Sequence, residues 1–123
     1  MASILIVDDE PTLRQLLRTV LERAGYEVAE ADNGNEAMGI IRAIELDLVI
    51  TDIFMPENDG FELIQHLRRA APGVKIITIS GETPGPYLTT ARLLGADAVL
   101  GKPVSPEVLV DGVAHLIGKP NTS

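Results

Sequence analysis

Short runs of β-branched and aliphatic residues, each followed by a segment with helical spacing, recur along the whole chain, and this alternation limits the fold more tightly than any other feature. The first run, Ile4-Leu5-Ile6-Val7, is continuously apolar and ended by acids, as expected of a strand covered on both faces. Pro11 is a favoured first helical residue. Leu13, Leu16, Leu17, Val20 and Leu21 then share one helix face until Gly25 ends the pattern, so a helix over residues 11 to 24 is predicted. Tyr26 to Ala31 alternates like a half-covered strand, and Asp32-Asn33-Gly34 is a turn into a second helix over Asn35 to Ile44. Leu46 to Thr51 reads as the third strand. Gly60 to Ala70 follows as the third helix, with Phe61, Ile64 and Leu67 inward, and Val74 to Ser80 as the fourth strand. Prolines and glycines in the loop from Gly81 delay the next helix until Pro86, where Leu88, Ala91 and Leu94 form a narrow apolar stripe. Ala96 to Leu100 is the fifth strand and Pro106 to Ile117 the last helix, with Leu109, Val113, Leu116 and Ile117 on one side.

Strands alternating with helices in this way imply right-handed crossovers and an α/β fold, a parallel sheet sandwiched between helix layers. A chain of 123 residues has room for one such domain, predicted over residues 1–118, with 119–123 as a polar tail. With 46% hydrophobic residues, 3% aromatics and no Trp, the core must be built from Ile, Leu, Val and Ala, which suits a sheet covered on both sides. A net charge of -8 argues against direct nucleic-acid binding, whose affinity comes from clustered Lys and Arg. Cysteine is absent, which excludes disulfides and thiolate metal sites. The apolar run near the N-terminus is too short for a signal segment or a membrane span, so a cytoplasmic location is expected.

In parallel α/β sheets the functional crevice lies beyond the carboxyl ends of the strands. Strand one ends in Asp8-Asp9, strand three in Asp52, strand four in Ser80, and strand five in Lys102-Pro103. Each taken singly is an ordinary strand terminator or helix cap. Together they deliver three carboxylates, a hydroxyl and an ammonium to one edge. Two carboxylates at about 4 Å repel by about 4 kcal/mol at an effective dielectric of about 20, so the cluster needs cationic compensation. Lys102 supplies part. A divalent ion supplies the rest, and an all-oxygen ligand set selects Mg²⁺. Metal, carboxylate, lysine and hydroxyl are the parts for phosphoryl transfer to an aspartate. Asp52 is the expected nucleophile, as the lone acid on the central segment facing Asp8 and Asp9.

These motifs resemble the receiver domain of two-component response regulators: Asp8-Asp9 after ILIV, Asp52 before MPENDG with Gly60 eight residues on, Ser80, and GADAVLGKP carrying Lys102-Pro103. The likeness covers residues 3 to 117. It implies a flavodoxin-like (βα)5 fold with strand order 2-1-3-4-5, and Asp52 as acceptor of a phosphoryl group from a histidine kinase or histidine phosphotransfer protein. It also implies Mg²⁺ held by Asp9, Asp52 and the carbonyl of Phe54, with Asp8 acting mainly through water. Ser80 and Lys102 would contact the phosphoryl group, and the Lys102-Pro103 peptide would be cis. Phosphorylation would alter the face formed by the fourth helix, fifth strand and fifth helix. That face would meet a downstream protein target, and a phosphorylation-dependent dimer is compatible with it.

Two positions depart from the family pattern or modify it. Val99 stands where members usually carry Tyr or Phe, three residues before the lysine, and valine has one stiff χ1 and no ring to swing inward. Tyr87 or the Gly81–Pro86 loop is the candidate replacement, against the plainer reading of Tyr87 as a surface residue. Phe54, two residues after the acceptor, is expected to overlook the acyl phosphate and slow its hydrolysis. The rival function is a Mg²⁺-dependent phosphatase with an aspartyl-phosphate intermediate. Such enzymes need a second acid just downstream of the nucleophile, where Phe54 stands, and a cap for which the chain has no room. A flavin-binding module is a third reading, opposed by Asp8-Asp9-Glu10-Pro11 where a phosphate loop would be needed. His66 and His115 have no metal-ligand spacing between them.

Overall fold

A computed structural model of the chain describes residues 2–53, 59–81, 89 and 92–119. Five strands form one parallel sheet: β1 (Ser3–Val7), β2 (Glu27–Ala31), β3 (Leu48–Asp52), β4 (Lys75–Ser80) and β5 (Ala98–Gly101), in the order β2-β1-β3-β4-β5. The helices are α1 (Pro11–Arg23), α2 (Gly34–Ala43), α3 (Asp59–Ala70), α4, described at Thr89 and at residues 92–94, and α5 (Pro106–Ile117). The doubly wound α/β architecture and strand order are those predicted.

Alternation along each strand sends side chains to two separate cores, since successive residues point to opposite faces. Leu5, Val7, Val49 and Ile76 pack with Leu63, Ile64 and Leu67 of α3 and Ala37 of α2. Ile4, Ile6, Leu48, Ile50, Ile77 and Ile79 pack on the other side with Leu17 and Leu21 of α1 and Leu109 and Val113 of α5. All of β3 is buried, which explains why its sequence is apolar without alternation until Thr51 and Asp52.

The element boundaries differ from the sequence expectation where side chains or helix closure decide them. Tyr26 is not in β2: its amide donates to Leu21 O at 3.1 Å while that of Gly25, at φ 102°, donates to Glu22 O at 3.0 Å, closing α1 with a glycine cap. The Tyr26 hydroxyl instead donates to Gly118 O at 3.0 Å, tying the end of α5 to the foot of β2. α2 begins at Gly34 rather than Asn35 because Asn33 Oδ1 accepts from the Glu36 amide at 2.9 Å, and Glu36 reaches back to the Asp32 amide. β3 starts at Leu48 and takes in Asp52, whose residue pairs with Ile79. Leu16, expected on the inner face of α1, is 52% exposed, because the stripe facing the sheet is centred on Leu17 and Leu21.

Candidate functional site

The β1–α1 turn brings the first pair of acids to the carboxyl edge. The Asp8 amide donates to Ala31 O at 3.1 Å, extending the β1–β2 ladder, and Asp8 Oδ1 accepts from the Glu10 amide at 2.8 Å. Asp8 is therefore buried, whereas Asp9 next to it is exposed. Asp52 ends β3 one strand away and is 5% exposed. Carboxylate oxygens of Asp8, Asp9 and Asp52 all lie within 4.8 Å of one another. Lys102, just beyond β5, sends its Nζ to Asp52 Oδ2 at 2.8 Å and stands 3.9 Å from Asp8 Oδ2. The Lys102 amide donates to Ser80 O at 2.8 Å, and the Lys102–Pro103 peptide is cis, as expected.

Ser80 follows Ile79, the residue opposite Asp52, and is buried with a hydroxyl oxygen that has no hydrogen-bond partner among the described residues. Asp8 Oδ2 is buried and likewise lacks a hydrogen-bond partner among the described residues. Burial pushes the Asp8 carboxyl up from its ordinary value; the Glu10 amide and Lys102 oppose this, while Asp52 and Asp9 add to it. Burial also works against the Lys102 ammonium, but the hydrogen bond it donates to Asp52 and the charges of Asp52, Asp8 and Glu10 outweigh it, so its pKa stands above the usual lysine value. With every group ionised, three carboxylates and one ammonium leave two negative charges, the complement of a divalent cation. An all-oxygen donor set and an orphaned buried carboxylate oxygen fit a hard metal ion such as Mg²⁺.

Of the residues predicted from sequence, Asp8, Asp9, Asp52 and Lys102 converge, and Ser80 stands beside them on the neighbouring strand. Phe54, with its predicted metal-binding carbonyl, lies outside the described residues, as do Tyr87 and the Glu82–Pro86 part of the loop. Val99 is half-buried on β5, opposite Thr78. Sequence reasoning missed Arg14, whose Nη1 donates to the Asp8 carbonyl at 2.7 Å and whose Nε donates to Glu30 Oε1 at 2.9 Å. The available signal was its position on α1, beside the Leu13–Leu17 stripe and therefore turned towards the sheet. A groove of about 370 Å³ lined by Ile41, Ile44, Leu46 and Val74 together with the acids Glu45 and Asp47 lies at the opposite end of the sheet, remote from this chemistry.

The response regulator receiver domain model matches residues 4–114. The chain belongs to the response regulator receiver domain family. It is 39% identical over 111 residues to a response regulator receiver protein of Anaeromyxobacter sp., covering 90% of this chain and 47% of that protein. It is 36% identical to the chemotaxis protein CheY of Thermotoga maritima, covering 89% of this chain and 92% of that one. Vibrio cholerae chemotaxis protein CheY4 superposes with a TM-score of 0.89 at 32% identity, covering 94% of this chain and 98% of the other. The chain thus spans about half the length of the Anaeromyxobacter relative and nearly all of the CheY proteins. As a receiver domain of two-component signalling, it belongs to a class that interacts with histidine kinases and downstream effectors. The acidic cluster Asp8, Asp9 and Asp52 fits the receiver-domain metal site, and the rival phosphatase reading finds no support in these likenesses. No described helix is long and apolar enough to cross a membrane.

Proposed function

We propose that residues 1–118 form a phospho-accepting unit in which Asp52 takes a phosphoryl group from a phosphohistidine of a histidine kinase or histidine phosphotransfer protein in the cytoplasm. The observation that carries this reading is the 2.8 Å contact of Lys102 Nζ with Asp52 Oδ2, at the point where Asp8 and Asp9 converge. A carboxylate oxygen of Asp52 forms the new P–O bond as the P–N bond to the donor imidazole breaks, and the leaving ring nitrogen departs as neutral imidazole after taking a proton. Asp9, Asp52 and the Phe54 carbonyl, with Asp8 through water, are the candidate holders of Mg²⁺, which when bound supplies charge neutralisation for the phosphoryl oxygens. Lys102 neutralises a further oxygen, and the unpartnered Ser80 hydroxyl donates to another. The protein is a switch rather than an enzyme acting on a separate substrate. Its modified state biases a two-state equilibrium read by a protein target on the face of α4, β5 and α5, or by a second copy of the chain.

Mass spectrometry after incubation with acetyl phosphate and Mg²⁺ tests this reading. A single base-labile, hydroxylamine-sensitive phosphoryl adduct on Asp52, absent from Asp52→Asn, is expected. An adduct elsewhere, or none with the metal present, would refute it.

A further inference from the structure

We propose that Arg14 is a positioning residue for the metal site, acting through the peptide bond that joins Asp8 to Asp9 rather than through its charge; the inference rests on the function proposed above. The Asp8 carbonyl that accepts from Arg14 Nη1 at 2.7 Å belongs to the same planar unit as the Asp9 amide. Holding that carbonyl therefore holds the orientation in which the chain enters Asp9. The Asp8 side of this unit is also fixed, by its amide on Ala31 O and by Oδ1 on the Glu10 amide. Asp9 itself is exposed, so its carboxylate depends on the backbone beneath it for direction.

Arg14 is in turn aimed by β2. Its Nε donates to Glu30 Oε1 at 2.9 Å, and the second oxygen of that carboxylate accepts from Arg18 Nη1 at 2.7 Å. Arg18 Nε also stands 3.3 Å from Glu22 Oε2, one turn further along α1. Arg14 is 17% exposed and Glu30 26%, so this chain of contacts is partly shielded from water. A guanidinium presents donors in a fixed plane and serves a carboxylate and a carbonyl at once. A lysine ammonium in its place reaches one of them. Mg²⁺ demands near-ideal octahedral geometry, so small errors in ligand direction weaken binding. The sequence Arg18–Glu30–Arg14–Asp8 carbonyl thus runs from the helix, through the edge strand, to the turn that carries two of the three acids.

Charge and position predict opposite signs, which makes the inference testable. Arg14 is a cation beside a cation site, so removing its charge alone would tighten Mg²⁺ binding, and Arg14→Lys would leave binding unchanged. Positioning requires that Arg14→Gln and Arg14→Lys both weaken it. Outer partners of metal ligands are worth about 10- to 100-fold in affinity, and about tenfold is expected here. The measurement is a Mg²⁺ titration of each full chain, followed by backbone amide shifts at Asp8, Asp9 and Asp52 in NMR spectra that also report folding. Glu30→Gln, which keeps Arg14 but removes the carboxylate that aims it, should weaken binding in the same direction. The double variant Arg14→Gln/Glu30→Gln should be no weaker than Arg14→Gln alone, because the two act in series. If Arg14→Gln does not fold, Arg14→Lys decides by the same criterion. Unchanged affinity in Arg14→Lys, or tighter binding in Arg14→Gln, overturns the inference while leaving the proposed function standing. A parent chain whose acids show no Mg²⁺-dependent shifts overturns both.

Discussion

Gly60, in the first turn of α3, lies so close to the end of β3 that a Cβ there would sit 2.4 Å from the Asp52 carbonyl oxygen, 2.5 Å from that of Ile53 and 2.8 Å from Ile53 Cα. All three are backbone atoms and cannot rotate away. The helix therefore abuts the backbone that presents Asp52, and only a residue without a side chain permits the approach. In an ordinary helix interior, Gly→Ala stabilises by about 0.5–1 kcal/mol. Here the sign reverses: Gly60→Ala should destabilise by about 1–3 kcal/mol, the usual range for overpacking, and should slow modification of Asp52 as β3 shifts. Urea unfolding with an unchanged midpoint would show that α3 moves aside without loss.

Asp52→Asn separates repulsion from attraction in the acidic pocket. The change removes the Asp52 charge from two neighbouring carboxylates and from one ammonium, and Lys102, already 3.9 Å from Asp8 Oδ2, retains a carboxylate partner. Without metal, the variant should melt higher than the parent by a few degrees, since about 1 kcal/mol corresponds to roughly 3–6 °C for a domain between the 60–100-residue and 150–250-residue classes. Adding Mg²⁺ should raise the melting temperature of the parent more than that of the variant. Calorimetry showing equal metal effects in both would mean that the three acids do not act as one site.

Lys102→Met tests whether the ammonium serves the reaction or merely holds the acids together. Its Nζ touches the very oxygen set assigned to receive the phosphoryl group. Loss of one preorganised charge of this kind slows a reaction by about 10²–10³. Mg²⁺ binding should strengthen in the same variant, because a competing cation has gone. A phosphorylation rate equal to that of the parent at saturating Mg²⁺, read by mass spectrometry over time, would remove Lys102 from the transfer step.

The sequence reveals this site to different depths. Asp8, Asp9, Asp52, Ser80 and Lys102 were legible because a parallel sheet delivers every strand's carboxyl end to one edge, and alternation of apolar runs with helical segments fixes which ends those are. The Arg14–Glu30 contact was not. It depends on which face of β2 meets α1 at the height of residue 30, a matter of tertiary register that charges 16 positions apart do not encode. Gly60 was visible as part of a motif, but its reason lies in a close approach between backbones. Leu16 misled because a residue at the margin of a helical stripe satisfies the spacing yet clears the sheet. Tyr26 misled because its apolar ring fits strand alternation, whereas its amide closes the preceding helix.

Glu30 and Asp8 should bend the pH dependence of stability in opposite directions. The hydrogen bond from Arg18, joined by that from Arg14, holds the Glu30 carboxyl below its ordinary value despite partial burial. A group with a lowered folded pKa contributes stability above its unfolded pKa and loses it as pH falls through the folded one. Asp8 has the reverse sign: burial raises its folded pKa, so it carries a penalty at neutral pH that is relieved as pH falls and the carboxyl protonates. Glu30→Gln should lower stability at pH 7, by no more than about 1 kcal/mol because Arg18 is 39% exposed and water screens the pair, and should flatten the acid limb below the ordinary carboxylate range. Asp8→Asn should raise metal-free stability at pH 7 and steepen the loss on acidification, since the compensating protonation is gone. Urea midpoints measured across the acid range in metal-free buffer check both, and a pair of variants moving the same way at pH 7 would contradict the assigned signs.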